Sequence, residues 1–215
     1  MFYFNKDSLN VKRDKALLSV FCVLLSLYIA FSCTYFAGAA KTVREDVVRL
    51  HILANSNSDF DQNVKLKVRD ALLNKNTALL SEGVNTENAP VYFEASKDEL
   101  LESARAVLNE NNCNYNVKIA LEKEYFETRI YGDYTFPAGE YTALKVVLGE
   151  GKGKNWWCVM FPPLCVPAAD SIETNENATD CLTESGSKIV SGGNKFIIRF
   201  KLLEIYEELR EKHLK

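Results

Sequence analysis

The stretch Gly149–Cys165 constrains the fold more than any other part of this chain. Gly149, Gly151 and Gly153 stand at alternate positions, and glycine lacks the Cβ that restricts φ. They predict a flexible loop with exposed backbone. Trp156, Trp157, Cys158, Val159, Met160 and Phe161 follow, and aromatic and β-branched residues suit a half-buried strand. Pro162-Pro163 must end that strand, because neither residue has an N–H to donate to a ladder. Neighbouring side chains in a strand point to opposite faces. Trp156 and Trp157 therefore cannot both enter one core: one packs inside, and the other reaches the far face, a rim or a partner.

The N-terminal residues differ from the rest. Lys12, Arg13 and Lys15 precede an apolar run from Ala16 to Ala40 that ends Ala37-Gly38-Ala39-Ala40. A positive segment, an apolar stretch and a small-residue end form an export signal. The run is also long enough to cross a bilayer, for which about 20 apolar residues suffice. Residues 1–40 are read as a signal peptide, cleaved after Ala39 or Ala40, or as a retained anchor. The basic residues on the near side place the remainder outside the cytoplasm.

Charge narrows the partners. Residues 1–40 hold four basic and two acidic residues of the chain's 26 and 29, which leaves 22 basic against 27 acidic beyond them. That balance disfavours nucleic acid or an anionic membrane surface as the main partner, so the membrane enters only through the N-terminal segment. Four cysteines remain in the exported part. They permit disulfides, with Cys158–Cys165 and Cys113–Cys181 the preferred pairs, or they stay free thiols in an organism living without oxygen.

Taken in order, Val43–Ala54 reads as a first strand. Val48, Leu50, Ile52 and Ala54 share one face, and Arg49 and His51 the other with Val47 and Leu53. A helix is expected from Asp59 to Leu80, capped by Ser58 with Asp61 three residues on. Asn55, Asn57, Asp59 and Asp61 imitate the start of a calcium loop, but Phe60 and Leu66 occupy the glycine and glutamate positions, so capping is the reading. Val91-Tyr92-Phe93 is expected as a short strand, and a second helix starts at Ser96. Strands follow at Tyr115–Leu121, Glu124–Tyr131 and Glu140–Gly149, and the Trp156-Trp157-Cys158 strand comes directly after the glycine loop, all joined as antiparallel hairpins. The core domain is 41–165. Residues 166–194 are polar and are expected as a flexible insertion. Residues 195–215 begin strand-like and become a helix with Phe200, Leu203, Tyr206 and Leu209 toward the core. The fold class is α+β: a mostly antiparallel sheet packed with two to three helices, preceded by the signal or transmembrane segment.

Chemistry is sparsely signalled. His51 is the one suitable general base, since His213 falls in the last helical turn. Pairing with Cys158 or Cys165 would make a thiol enzyme or hydrolase, with Lys152 and Lys154 near enough in sequence to favour a thiolate. No paired His or Cys-x-x-Cys motif marks a metal site, and the glycine loop lacks the Gly-Lys-Ser/Thr ending of a nucleotide site. No cofactor is expected. Binding is better supported: Asn155, Trp156, Trp157, Pro162 and Pro163 form one candidate partner surface, and Arg49, His51 and Asn55 a second.

Val48-Arg-Leu-His-Ile-Leu-Ala-Asn-Ser56, Gln62-Asn-Val-Lys-Leu-Lys-Val-Arg-Asp-Ala-Leu72, Phe136-Pro-Ala-Gly-Glu-Tyr-Thr-Ala-Leu144 and the whole of Gly149–Cys165 resemble, in this order, the stage II sporulation protein R family. The resemblance spans roughly Val43–Cys165 and resumes near Arg199–Glu204. It implies a protein made in the forespore and exported to the space between two membranes. There the family acts on an aspartic-type membrane protease of the mother cell, which then processes the sigma-E precursor. Such a chain works by protein–protein binding, and the catalytic carboxylates belong to its partner.

Overall fold

In β1 (Val48–Leu53), five of the six residues are buried on alternate faces and only Leu53 is half-covered. A strand hidden on both sides belongs inside a sheet. The computed structural model, which describes residues 6–76, 83–162, 182–192 and 196–214, places it there. β1 lies parallel to β5 (Gly139–Leu148), with Leu50 opposite Leu144. It lies antiparallel to β6 (Asn155–Phe161), with Leu50 opposite Cys158. β2 (Val117–Phe126) pairs antiparallel with β5, giving the order β2-β5-β1-β6.

The α+β class holds, and the sheet is mixed because of the parallel β1–β5 pair. The expected hairpin between β5 and β6 does not form. β1 sits between them, and the glycine loop crosses the end of β1 to bring β6 to its far side. The expected strands at Tyr115–Leu121 and Glu124–Tyr131 are also redrawn. One continuous β2 runs through Glu122-Lys123-Glu124, charges that an edge strand carries without harm. β3 (Arg129–Tyr131) and β4 (Tyr134–Phe136) then form a separate hairpin turning at Gly132-Asp133.

One sheet face is covered by α2 (Asp59–Asn76), α3 (Ala89–Ala95) and α4 (Lys97–Glu110). Val64, Val68 and Leu72 of α2, Phe93 of α3, and Leu100, Ala104 and Leu108 of α4 meet Leu50, Ile52, Leu144, Val146 and Met160 in one core. Burial of each large apolar side chain contributes about 1.5–3 kcal/mol. Ser58 caps α2 as expected, its hydroxyl accepting from the Asp61 N–H at 3.2 Å. The end of the expected helix, from residue 77 to Leu80, lies outside the described residues. Val91–Phe93 is helical, not a strand. Pro90 sits in the first turn of α3, where a missing N–H costs nothing, and the Asn85 side chain accepts from the N–H groups of Glu87 and Asn88 to turn the chain into it.

α1 spans Lys6–Asp46, so the expected first strand starts five residues late. Val43 continues a helical row with Phe36, Ala39 and Ala40, all buried. The chain divides into two units at Gly38. In the first, Asp14 onward is long and apolar enough to cross a membrane, with Leu17, Phe21, Leu24 and Tyr28 exposed. This segment is a candidate signal or membrane anchor.

Within the expected flexible insertion, α5 (Glu184–Ser191) is helical. Thr183 caps it by accepting from the Gly186 N–H, and Ile189 and Val190 are buried. The rest of that insertion up to Cys181 lies outside the described residues. The C-terminal segment is helical from its start, as α6 (Ile197–Leu214). Phe200 and Leu203 are buried as expected, but Tyr206 and Leu209 are exposed and Glu207 is buried instead. Glu207 meets Arg44 at 3.4 Å, an ion pair on the same inward face as Phe200 and Leu203.

Candidate functional site

The sheet face away from α2–α4 carries Arg49 and His51 side by side on β1. Both were expected as surface contacts; they are 0% and 3% exposed. Arg49 is enclosed by aromatic rings, its Cζ lying 4.5 Å from the Phe126 centroid, 5.1 Å from Tyr141 and 5.5 Å from Tyr131 and Phe136. Nη2 donates to the Tyr131 hydroxyl at 2.9 Å, which in turn donates to the Trp157 carbonyl at 3.3 Å. Among the described residues, Nε and Nη1 have no hydrogen-bond partner. Burial holds the guanidinium pKa below its ordinary value, partly countered by Tyr131 and Tyr141. Ring quadrupoles attract the buried cation in place of a carboxylate.

His51 faces Glu124 two strands away. Its Nδ1 lies 2.9 Å and 2.8 Å from the two carboxylate oxygens, and its ring stacks on Trp157 at 3.6 Å and 15°. Trp157 meets Phe126 edge-on at 4.9 Å. Lys145 approaches Glu124 at 3.4 Å and Glu122 at 2.8 Å. The Glu122 bond is the main reason its ammonium pKa rises. Nε2 of His51 is enclosed and has no hydrogen-bond partner among the described residues. A general base needs a ring nitrogen within reach of a substrate proton; here one nitrogen is committed and the other is shut in.

The alternative pairing of Cys158 with His51 is excluded by strand alternation. Cys158 belongs to the helix-covered core, on the other side of the sheet, and is disulfide-bonded. Cys165 and Cys181 lie outside the described residues. Cys113 is a free thiol with Sγ 3.9 Å from the Asn111 carbonyl, so the expected Cys113–Cys181 bridge is not formed. Among the described residues, no group of three or more His, Cys, Asp or Glu side chains is placed to hold a metal ion.

The glycine loop, expected to be flexible, is clamped to the end of β1. The Asn55 carboxamide oxygen accepts from the Glu150 N–H at 3.0 Å, and that of Asn57 from the Lys154 N–H at 2.8 Å. The Gly153 N–H donates to the Ala54 carbonyl at 2.8 Å. A Cβ on Gly153 would lie 2.1 Å from the Ser56 carbonyl oxygen, and one on Gly149 at 2.1 Å from Asn55 Oδ1. Asn55 therefore serves the fold. Its amide also donates to Asp61, together with the Ser56 and Tyr115 hydroxyls.

Of the tryptophans, Trp156 lies on the helix side and Trp157 on the other, as alternation requires. Both are half-buried. Arg69 caps the Trp156 ring at 4.4 Å. Asn155 is exposed, Pro162 is buried, and Pro163 lies outside the described residues. Exposed apolar side chains gather on α6, at Ile198, Leu202, Ile205, Tyr206 and Leu209, with Phe60, Val91 and Ile130 exposed singly elsewhere in the second unit. Sequence reasoning placed Leu209 and Tyr206 in the core, and missed Glu124, Phe126 and Tyr131. β2 carries Glu122, Glu124 and Phe126 at period two, but nothing local joins them to His51 across an intervening strand.

A family model described as Stage II sporulation protein R matches residues 44–171. Stage II sporulation protein R of Bacillus subtilis (strain 168) is 37% identical over 123 residues, covering 57% of this chain and 55% of that protein. The chain thus matches about half the length of this curated relative. No solved structure matches. The family match covers more than half of the chain and includes β1, β5, the clamped glycine loop and β6, and on it the chain belongs to the stage II sporulation protein R family, with a role in sporulation.

Proposed function

We propose that this protein is a signal exported from the forespore, which activates an aspartic-type membrane protease of the mother cell and so triggers processing of the sigma-E precursor. Family membership carries the reading. The state of the one histidine in the core domain agrees with it: His51 is held by Glu124 and Trp157, on the side of the sheet away from Cys158. The protein acts as a ligand, and the reacting carboxylates are the protease's. To move a protease from 1:99 to 99:1 in favour of its active arrangement, the ligand must bind that arrangement about 10⁴-fold more tightly, about 5.5 kcal/mol. Equal affinity for both arrangements shifts nothing. Asn155 and the accessible edges of Trp156 and Trp157 remain proposed contacts.

Co-expression of the full chain with the protease and the sigma-E precursor tests this. Precursor cleavage that requires all three supports the reading. An uncut precursor in the complete mixture overturns it. Cleavage that survives mutation of the protease's own catalytic aspartates would move the chemistry to this chain.

A further inference from the structure

α6 has two apolar faces. Phe200 and Leu203 face inward with Glu207, which Arg44 holds. Ile198, Leu202, Ile205 and Leu209 form a second row, 76%, 57%, 46% and 52% exposed, with Tyr206 beside them at 60%. The row steps 4-3-4, the narrow a/d seam of a helix that packs against another helix.

We propose that this seam pairs two copies of the chain, α6 against α6, antiparallel about a two-fold axis passing between Leu202 and Ile205. The spacing suits a second copy. A 4-3-4 row reads the same in both directions, so reversal sets Ile198 against Leu209 and Leu202 against Ile205. Every side chain of the row then meets an apolar partner in a closed, isologous contact. The 3-4 spacing is general to helices with an apolar seam, and a second copy supplies it in a closed two-fold pair.

Charge agrees. Lys201 on the flank is already neutralised by Glu204 at 2.9 Å within the same helix, so the row calls for no strongly charged partner. Area agrees as well. Five large side chains at these exposures leave roughly 500 Å² of apolar surface, near the top of what a monomer shows. Two such patches make about 1,000 Å², the lower bound for a specific interface. The pair is therefore weak and reversible. It would present the rest of the surface in duplicate to any partner. The pairing does not rest on the protease reading.

The test uses the full chain in membranes, with a photoreactive benzophenone amino acid in place of Leu202. Illumination should give a covalent dimer whose cross-linked peptide contains Ile205 of the second copy. Ile205→Glu in that copy should lower the yield at least tenfold while leaving the melting temperature unchanged, since Ile205 does not support the fold. The same reagent at Phe60, exposed elsewhere, should give no dimer. Absence of a covalent dimer overturns the proposal, as do cross-links solely to another protein or to lipid, or a dimer joined away from α6. No readout involves the protease, so failure of this inference and failure of the signalling reading are distinguishable.

Discussion

Leu50 and Ile52 on one side of β1 and Arg49 and His51 on the other are buried almost equally, yet by different means. The first pair sits among α2, α3 and α4 in a core of aliphatic side chains, stabilised by area removed from water. The second sits among Phe126, Tyr131, Phe136, Tyr141 and Trp157, where aromatic rings and one carboxylate accommodate a guanidinium and an imidazole. Burying polar groups costs free energy unless they are partnered. Arg49 keeps two nitrogens unpaired and His51 one. The helix side thus supplies most of the stability, and the aromatic side holds a fixed polar arrangement at some cost to it.

The sharpest way to break that contrast is to mutate neighbours on opposite faces. Leu50→Ala should cost about 3–4 kcal/mol in urea denaturation, since it leaves a cavity in a close-packed core. Arg49→Met keeps the volume, removes a buried unmatched charge and gives up one hydrogen bond, so it should fall within about 1 kcal/mol of the parent. If Arg49→Met is as damaging as Leu50→Ala, the aromatic cage needs its cation and the two faces are energetically alike.

Next in size is the device that keeps the faces from exchanging. β6 lands beside β1 because the glycine loop lies against Ala54–Ser56. A one-residue slip would move every side chain of β6 to the wrong face, Trp156 and Trp157 included. Gly153→Ala places a methyl 2.1 Å from a backbone oxygen that cannot rotate away. It should cost about 2–3 kcal/mol, read as a lower melting temperature with altered tryptophan fluorescence. A neutral result would show the loop to be free of β1.

How much of this was readable beforehand follows from range. Alternation within one strand is local, so the faces of β1 and the opposite placement of Trp156 and Trp157 were legible. So was the capped start of α2. Strand order was not, because nothing in Gly149–Lys154 says that another strand lies beneath the loop. The Glu124–His51 contact spans two ladders and was equally hidden. Tyr206 and Leu209 were misplaced because α6 has two apolar rows, and nothing within the helix itself says which turns inward. Val91–Phe93 misled because β-branched and aromatic content outweighed the signal of Pro90.

A smaller effect tests whether the polar pair on the aromatic face acts as a unit. Glu124→Gln and His51→Gln should each cost about 1–2 kcal/mol. Together they should cost less than their sum, with a coupling near 1 kcal/mol in a double-mutant cycle. Additive losses would mean that Glu124 serves Lys145 alone and that the His51 ring is held by Trp157 stacking.

The smallest expected effect belongs to the helix side, at its one buried carboxylate. Burial by itself would raise the pKa of Asp61, but hydrogen bonds from Ser56, Asn55 and Tyr115, with Ser58 alongside, prevail and hold it below the ordinary carboxylate value. A carboxyl depressed in the folded state contributes stability that is fully present above its unfolded pKa of about 3.9. That contribution is lost as pH falls through the lower folded value. Asp61→Asn should therefore cost about 1 kcal/mol or less at pH 7, and the cost should shrink as the buffer is taken below pH 4. Urea midpoints of the two proteins measured down the acid range should converge. Parallel curves would mean that Asp61 is held by geometry rather than by charge, so that even the helix face, seemingly all apolar packing, has a polar clasp insensitive to protonation.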